Sequence, residues 1–100
     1  MIRHIVMWKL KDHAEGAPKD ENIRRMKAAL EALPSKIPFI REFRIGVNAA
    51  LGDTSWDMVL SSGFESWEDL AAYQDHPAHL EVGKFVGKVR SERAIVDYED

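Results

Sequence analysis

The chain has no cysteine among its 100 residues, which excludes disulfides, thiolate metal sites and a cysteine nucleophile together. The same absence suits a reducing compartment, and a cytoplasmic location is expected. Positive charge is not in excess: 14 Lys and Arg against 17 Asp and Glu leave a net charge of −3. Acids interrupt the basic residues throughout, so the electrostatic footprint of a nucleic-acid partner is missing. Long hydrophobic runs are missing too. The apolar opening carries Arg3, His4 and Lys9 within ten residues. It is therefore neither a membrane span nor a secretory leader, and no membrane partner is expected. No glycine-rich phosphate loop, GxSxG turn or HExxH helix occurs. One domain over residues 1–100 is expected. A chain this short buries a limited fraction of its surface, and oligomerisation is a common remedy.

Periodicity supplies the layout. Ile2, His4, Val6, Trp8 and Leu10 alternate with Arg3, Ile5, Met7 and Lys9, as in a strand with one buried face. A polar loop holding Gly16 follows, and Pro18 suits the opening of a helix, with Asp20 and Glu21 in its first turn. Ile23, Met26, Leu30 and Leu33 form that helix's apolar stripe, and Pro34 stops it. A second strand follows Pro38, with Phe43, Ile45 and Val47 on one face. Residues 48–55 read as a loop with turn chemistry at Gly52 and Asp53. A third strand runs from Trp56 to Phe64, with Trp56, Met58, Leu60, Ser62 and Phe64 on one face. Ser66 caps a second helix whose inward residues are expected to be Trp67, Leu70 and Ala71. Pro77 breaks that helix, and a third helical stripe of Val82, Phe85, Val86 and Val89 follows. Residues 93–98 form a last strand. The fold class is α+β: a ferredoxin-like βαββαβ order with the second helix split at Pro77, and an antiparallel sheet with helices on one face.

Helices on one side leave the other sheet face bare. Ile5, Met7, Val59 and Ile95 are expected there, within a charged rim of Arg3, Lys9, Glu42, Arg44, Asp57 and Asp97. An apolar patch with such a rim suits a protein interface, and two sheets packed face to face would give a symmetric homodimer.

The densest set of titratable groups is Tyr73-Gln74-Asp75-His76-Pro77-Ala78-His79. Tyr73 follows Leu70 by three residues and His79 precedes Val82 by three, so both point toward the sheet, where His4 lies on the apolar face. Met58 and Leu60 are expected to line the same pocket with His4. One reading makes His79 a base on a carbon acid, with Tyr73 orienting it or donating to an enolate oxygen. The other makes these residues a brace around Pro77, with His4 a satisfied core histidine. His76 and His79 have the spacing of a metal pair, but no carboxylate-rich helix face completes a site. No metal and no cofactor are expected. The expected partners are a second copy of the chain and a small apolar or carbonyl-containing ligand.

Residues Met1 to Lys11 resemble the opening of the stress-responsive A/B barrel domain (Dabb) family. Phe64 to Leu70 and Tyr73 to His79 resemble its central signature, and Ile95 to Tyr98 its ending. The resemblance spans nearly the whole chain. It implies a dimeric α/β barrel of ferredoxin-like subunits without a cofactor. Roles within the family differ. Some members have no assigned reaction, whereas a plant polyketide cyclase closes a ring by aldol condensation with a Tyr and a His matching Tyr73 and His79. A pocket histidine of that cyclase matches His4, but its third-strand histidine corresponds to Met58 here. The resemblance thus implies a family of unassigned molecular function, with a cyclase- or isomerase-like enzyme and a non-catalytic stress-related binding or structural protein as alternatives.

Overall fold

The computed structural model describes residues 1–50 and 52–100; Leu51, in the loop expected over 48–55, lies outside the described residues. The chain runs β1 (Ile2–Leu10), β2 (His13–Ala14), β3 (Ala17–Pro18), α1 (Lys19–Glu31), a 3-10 turn (Leu33–Ser35), β4 (Glu42–Val47), β5 (Met58–Phe64), α2 (Trp67–Asp75), α3 (Pro77–Val89) and β6 (Arg90–Glu99). The main sheet has the order β4-β5-β1-β6, and every neighbouring pair is antiparallel. This is the ferredoxin-like α+β arrangement.

The alternation in β1 is realised residue by residue. Ile2, His4, Val6, Trp8 and Leu10 are buried beneath the helices, while Arg3, Ile5, Met7 and Lys9 face away. In register with them, Phe64, Ser62, Leu60 and Met58 of β5 complete the buried surface. Helix α1 adds Met26 and Leu30, α2 adds Leu70 and Tyr73, and α3 adds Val86 and Val89. Burial of each large aliphatic side chain is worth about 1.5–3 kcal/mol, so this one layer carries the fold. Among the described residues no helix is long and apolar enough to cross a membrane.

Several local expectations shift. Pro18 is the N-cap of α1 and not its first helical residue. Leu33 is buried, but in the 3-10 turn beyond that helix. The polar loop before α1 is a hairpin ribbon: Glu15 (φ 50) and Gly16 (φ 73) both adopt the left-handed region that a tight two-residue turn requires. Asn22, buried on α1, ties the helix to this ribbon by donating to the carbonyls of Ala14 (2.9 Å) and Ala17 (3.3 Å). Strands two and three begin later than expected, at Glu42 and Met58, and the last begins earlier, at Arg90. Trp67 and Ala71 lie outward on α2 and not inward, with Trp67 48% exposed. Leu70 and Tyr73 are buried, as expected.

The largest correction concerns β6. Its register sets Ile95 opposite Val6, Asp97 opposite His4 and Arg93 opposite Trp8. Paired residues share a face, so Ile95 and Asp97 lie on the helix side and not on the open face. The open face carries Ala94, Val96 and Tyr98 beside Met7, Ile5 and Arg3. Both faces of this edge strand mix apolar and charged residues, so periodicity alone does not orient it. Asp57 also leaves the expected rim: its carboxylate accepts from the Leu10 backbone N–H (2.7 Å) and faces the Lys19 ammonium (3.4 Å).

Candidate functional site

The break between α2 and α3 shapes the site. His76, preceding Pro77, is extended (φ −64, ψ 137) and ends α2. Its Nδ1 accepts from the Ala78 N–H at 3.0 Å and so caps α3. With that nitrogen occupied, His76 is a capping residue. Restarting the helix at Pro77 turns His79 toward the sheet. The His79 Nδ1–H donates to the Gln74 carbonyl at 3.0 Å, which leaves Nε2 with its lone pair free.

His79 and Tyr73 meet, with ring centroids 4.5 Å apart, and the His4 ring lies 6.2 Å from Tyr73. Phe64 and Phe43 hold the other sides of the Tyr73 ring, at 5.0 and 6.2 Å. Tyr73 is fully buried, yet its hydroxyl has no hydrogen-bond partner among the described residues, and no bond joins it to His79. Burial pushes the Tyr73 phenol above its ordinary value, so it stays a donor. Burial also lowers the His79 imidazole. The Gln74 bond opposes that shift, and the positive charge of Arg93 adds to it. Imidazole Nε2 is therefore an unprotonated base at neutral pH.

These rings border a cavity of about 140 Å³ between the sheet and α3. Its apolar wall includes Val6, Leu30, Leu60, Val82, Val86 and Ile95. Of the expected lining residues, His4 and Leu60 are on the wall. Met58 is not: it packs in the core opposite Trp8, at the far end of that strand face. The histidine-to-methionine difference inferred for that position thus falls outside the cavity.

Sequence reasoning missed four contributors. Asp97 accepts from the His4 Nδ1–H at 2.5 Å, which turns the second nitrogen of His4 away from the carboxylate. Trp8 lines the cavity, and its buried indole N–H has no partner among the described residues. Arg90 and Arg93 stand on the wall as well. The shared face of Ile2 to Leu10 could have pointed to Trp8; the other three needed the register of β6. Among the described residues, no three His, Asp or Glu side chains gather as metal ligands.

The arrangement offers two imidazoles anchored through Nδ1, two buried donors and an apolar wall. The family model for the Stress Responsive A/B Barrel Domain matches residues 2–100. An uncharacterized protein of Streptomyces coelicolor is 30% identical over 100 residues, covering 99% of each chain. A stress-response A/B barrel domain-containing protein of Arabidopsis thaliana is 34% identical over 84 residues, which are 84% of this chain and 30% of that protein. A dimeric protein of unknown function and ferredoxin-like fold from Bacteroides fragilis superposes with a TM-score of 0.84 at 38% identity, covering 99% of this chain and 95% of that one.

Proposed function

Because the chain belongs to the stress responsive A/B barrel domain family, we propose that it acts as a homodimer in which each subunit binds a small, mostly apolar, carbonyl-containing ligand. One observation carries the ligand reading: Tyr73, whose fully buried hydroxyl is unpartnered among the described residues, and the anchored His79 together line a cavity of about 140 Å³. A buried hydroxyl without a partner costs on the order of 1–3 kcal/mol, and a ligand oxygen accepting from it removes that cost.

Catalysis at the same site is a second reading, favoured by the free Nε2 of His79. Tyr73 would donate to the ligand's carbonyl oxygen. His79 would take the proton from the adjacent carbon, and the C–H electron pair would pass into an enolate held by Tyr73. Return of the proton elsewhere isomerises the ligand; attack of the enolate carbon on a second carbonyl closes a ring. His4, oriented by Asp97, lines the same cavity.

The dimer reading rests on the open sheet face. Ile5, Met7 and Val59 form a strip there with Val96, which takes the role first expected of Ile95. Val96 is 60% and Met7 38% exposed in the single chain, and the Bacteroides fragilis relative is dimeric. The cytoplasm is the proposed compartment, since a chain free of cysteine suits a reducing one.

Thermal-shift screening of small ketones and aldehydes tests the pocket. A ligand that raises the melting temperature of the native protein should do so far less in His79→Ala. Equal shifts in both proteins would remove His79 from the site. For the interface, Ile5→Asp should give monomers by light scattering, and an unchanged dimer would put the interface elsewhere.

A further inference from the structure

Four of the seven arginines are paired with carboxylates: Arg3 with Glu42 and Asp100, Arg24 with Asp20, Arg25 with Glu21 and Arg41 with Glu65. Of the three without a carboxylate partner among the described residues, Arg44 is on β4, opposite Ser61 and on the open face. The other two, Arg90 and Arg93, both line the cavity that holds Tyr73 and His79. Nearby acids are engaged elsewhere: Glu92 pairs with Lys9 on the open face, and Asp97 with His4. Arg90 follows the last turn of α3, where a cation complements the helix dipole. That accounts for a charge at residue 90 but not for Arg93, which the β6 register turns to the cavity side opposite Trp8.

Guanidinium groups are planar forks of donors matched to carboxylate and phosphate oxygens. Both arginines stand at the solvent side, Arg90 half-buried and Arg93 exposed, while the wall behind them is apolar. The cavity's size limits what it takes. A cavity of about 150 Å³ lined by aliphatic side chains accommodates benzene, so this one holds the bulk of about one ring.

We propose that Arg90 and Arg93 form an anion-binding mouth, so that the ligand is a one-ring-sized apolar body carrying a terminal oxyanion, either a carboxylate or a phosphate. This deepens the pocket reading and rests on it. The oxyanion lies between the arginines and the apolar body fills the cavity. A carbonyl between the two comes within the layer of Tyr73 and His79.

Isothermal titration with matched probes tests this: 3-phenylpropanoate, its neutral isostere 4-phenylbutan-2-one, and 2-phenylethyl phosphate. At least one anion should bind about tenfold or more tightly than the ketone at low salt, and the two anions compared identify the head group. Salt should erode the anion's advantage, because the mouth is solvent-facing. Arg93→Gln and Arg90→Gln should each reduce the ratio of anion to ketone affinity, and the double variant should bring it near one. Arg93 is exposed and Arg90 half-buried, and the melting curve of each variant checks that folding is retained. Ketone binding with no advantage for either anion overturns the inference and leaves the pocket reading standing. Binding of none of the three overturns both.

Discussion

Replacement of Tyr73 by Phe separates a ligand-binding site from a structural brace. The ring is fully buried and held by Phe64, Phe43, His79 and His4. Tyr73→Phe keeps all of that packing and removes one oxygen that has no partner among the described residues. Relief of an unsatisfied buried hydroxyl is worth roughly 1–3 kcal/mol. The vacated space of one oxygen, roughly 10 Å³ at about 24 cal/mol per Å³, costs only about 0.2 kcal/mol. The ligand-free variant should therefore be more stable by roughly 1 kcal/mol or more, which for a domain of this size is a melting temperature higher by about 4–8 °C per kcal/mol. Urea titration and thermal melts of both proteins at equal concentration read this directly. The same variant should lose most of the stabilisation by a carbonyl ligand, since the donor is gone. A brace behaves oppositely: its hydroxyl has a partner, and deleting it destabilises by about 1 kcal/mol. A variant as stable as the native protein, or less so, refutes the argument from the unpaired hydroxyl.

Two further outcomes follow from the same cavity. Gly83 and Gly87 lie on its edge within α3, and a Cβ added at either meets no atom within 4 Å. Gly83→Ala should then stabilise the helix by about 0.4–1 kcal/mol, and Gly83→Leu, large enough to cover the mouth, should abolish ligand-induced thermal shifts; a destabilised alanine variant would mean the position is not open. Burial holds the His79 imidazole below its ordinary value of 6.5. The unfolded chain then binds its proton first as pH falls, so stability present above 6.5 is lost as pH drops toward the folded value. Urea unfolding at pH 8 and pH 5.5 should show this loss, smaller in His79→Gln; the same loss in that variant would show that other groups cause it.

The elements differ in how much of their geometry the residues carry alone. Helix α3 was legible because Val82, Val86 and Val89 repeat at helical spacing, which fixes where His79 points once Pro77 sets the start. The break itself was legible, since a residue before proline leaves the helical region. Trp67 and Ala71 face outward, against expectation, because a helix as short as α2 offers few positions from which to fix its inner face. Met58 was on the correct strand face but beyond the cavity, a distance that no alternation pattern encodes.

By itself, then, the sequence determined the ferredoxin-like order, the inward face of β1 and the convergence of His4, Tyr73 and His79. Each follows from local periodicity beneath a layer that must be buried. Tertiary structure decided what β6 contributes. Ile95, Asp97 and Arg93 reach the helix side only through pairing with β1, because a one-residue change in strand parity moves every side chain to the opposite face. An edge strand with mixed residues on both faces has no internal signal for that parity. The His4–Asp97 pair and the arginine mouth therefore exist only in the assembled sheet.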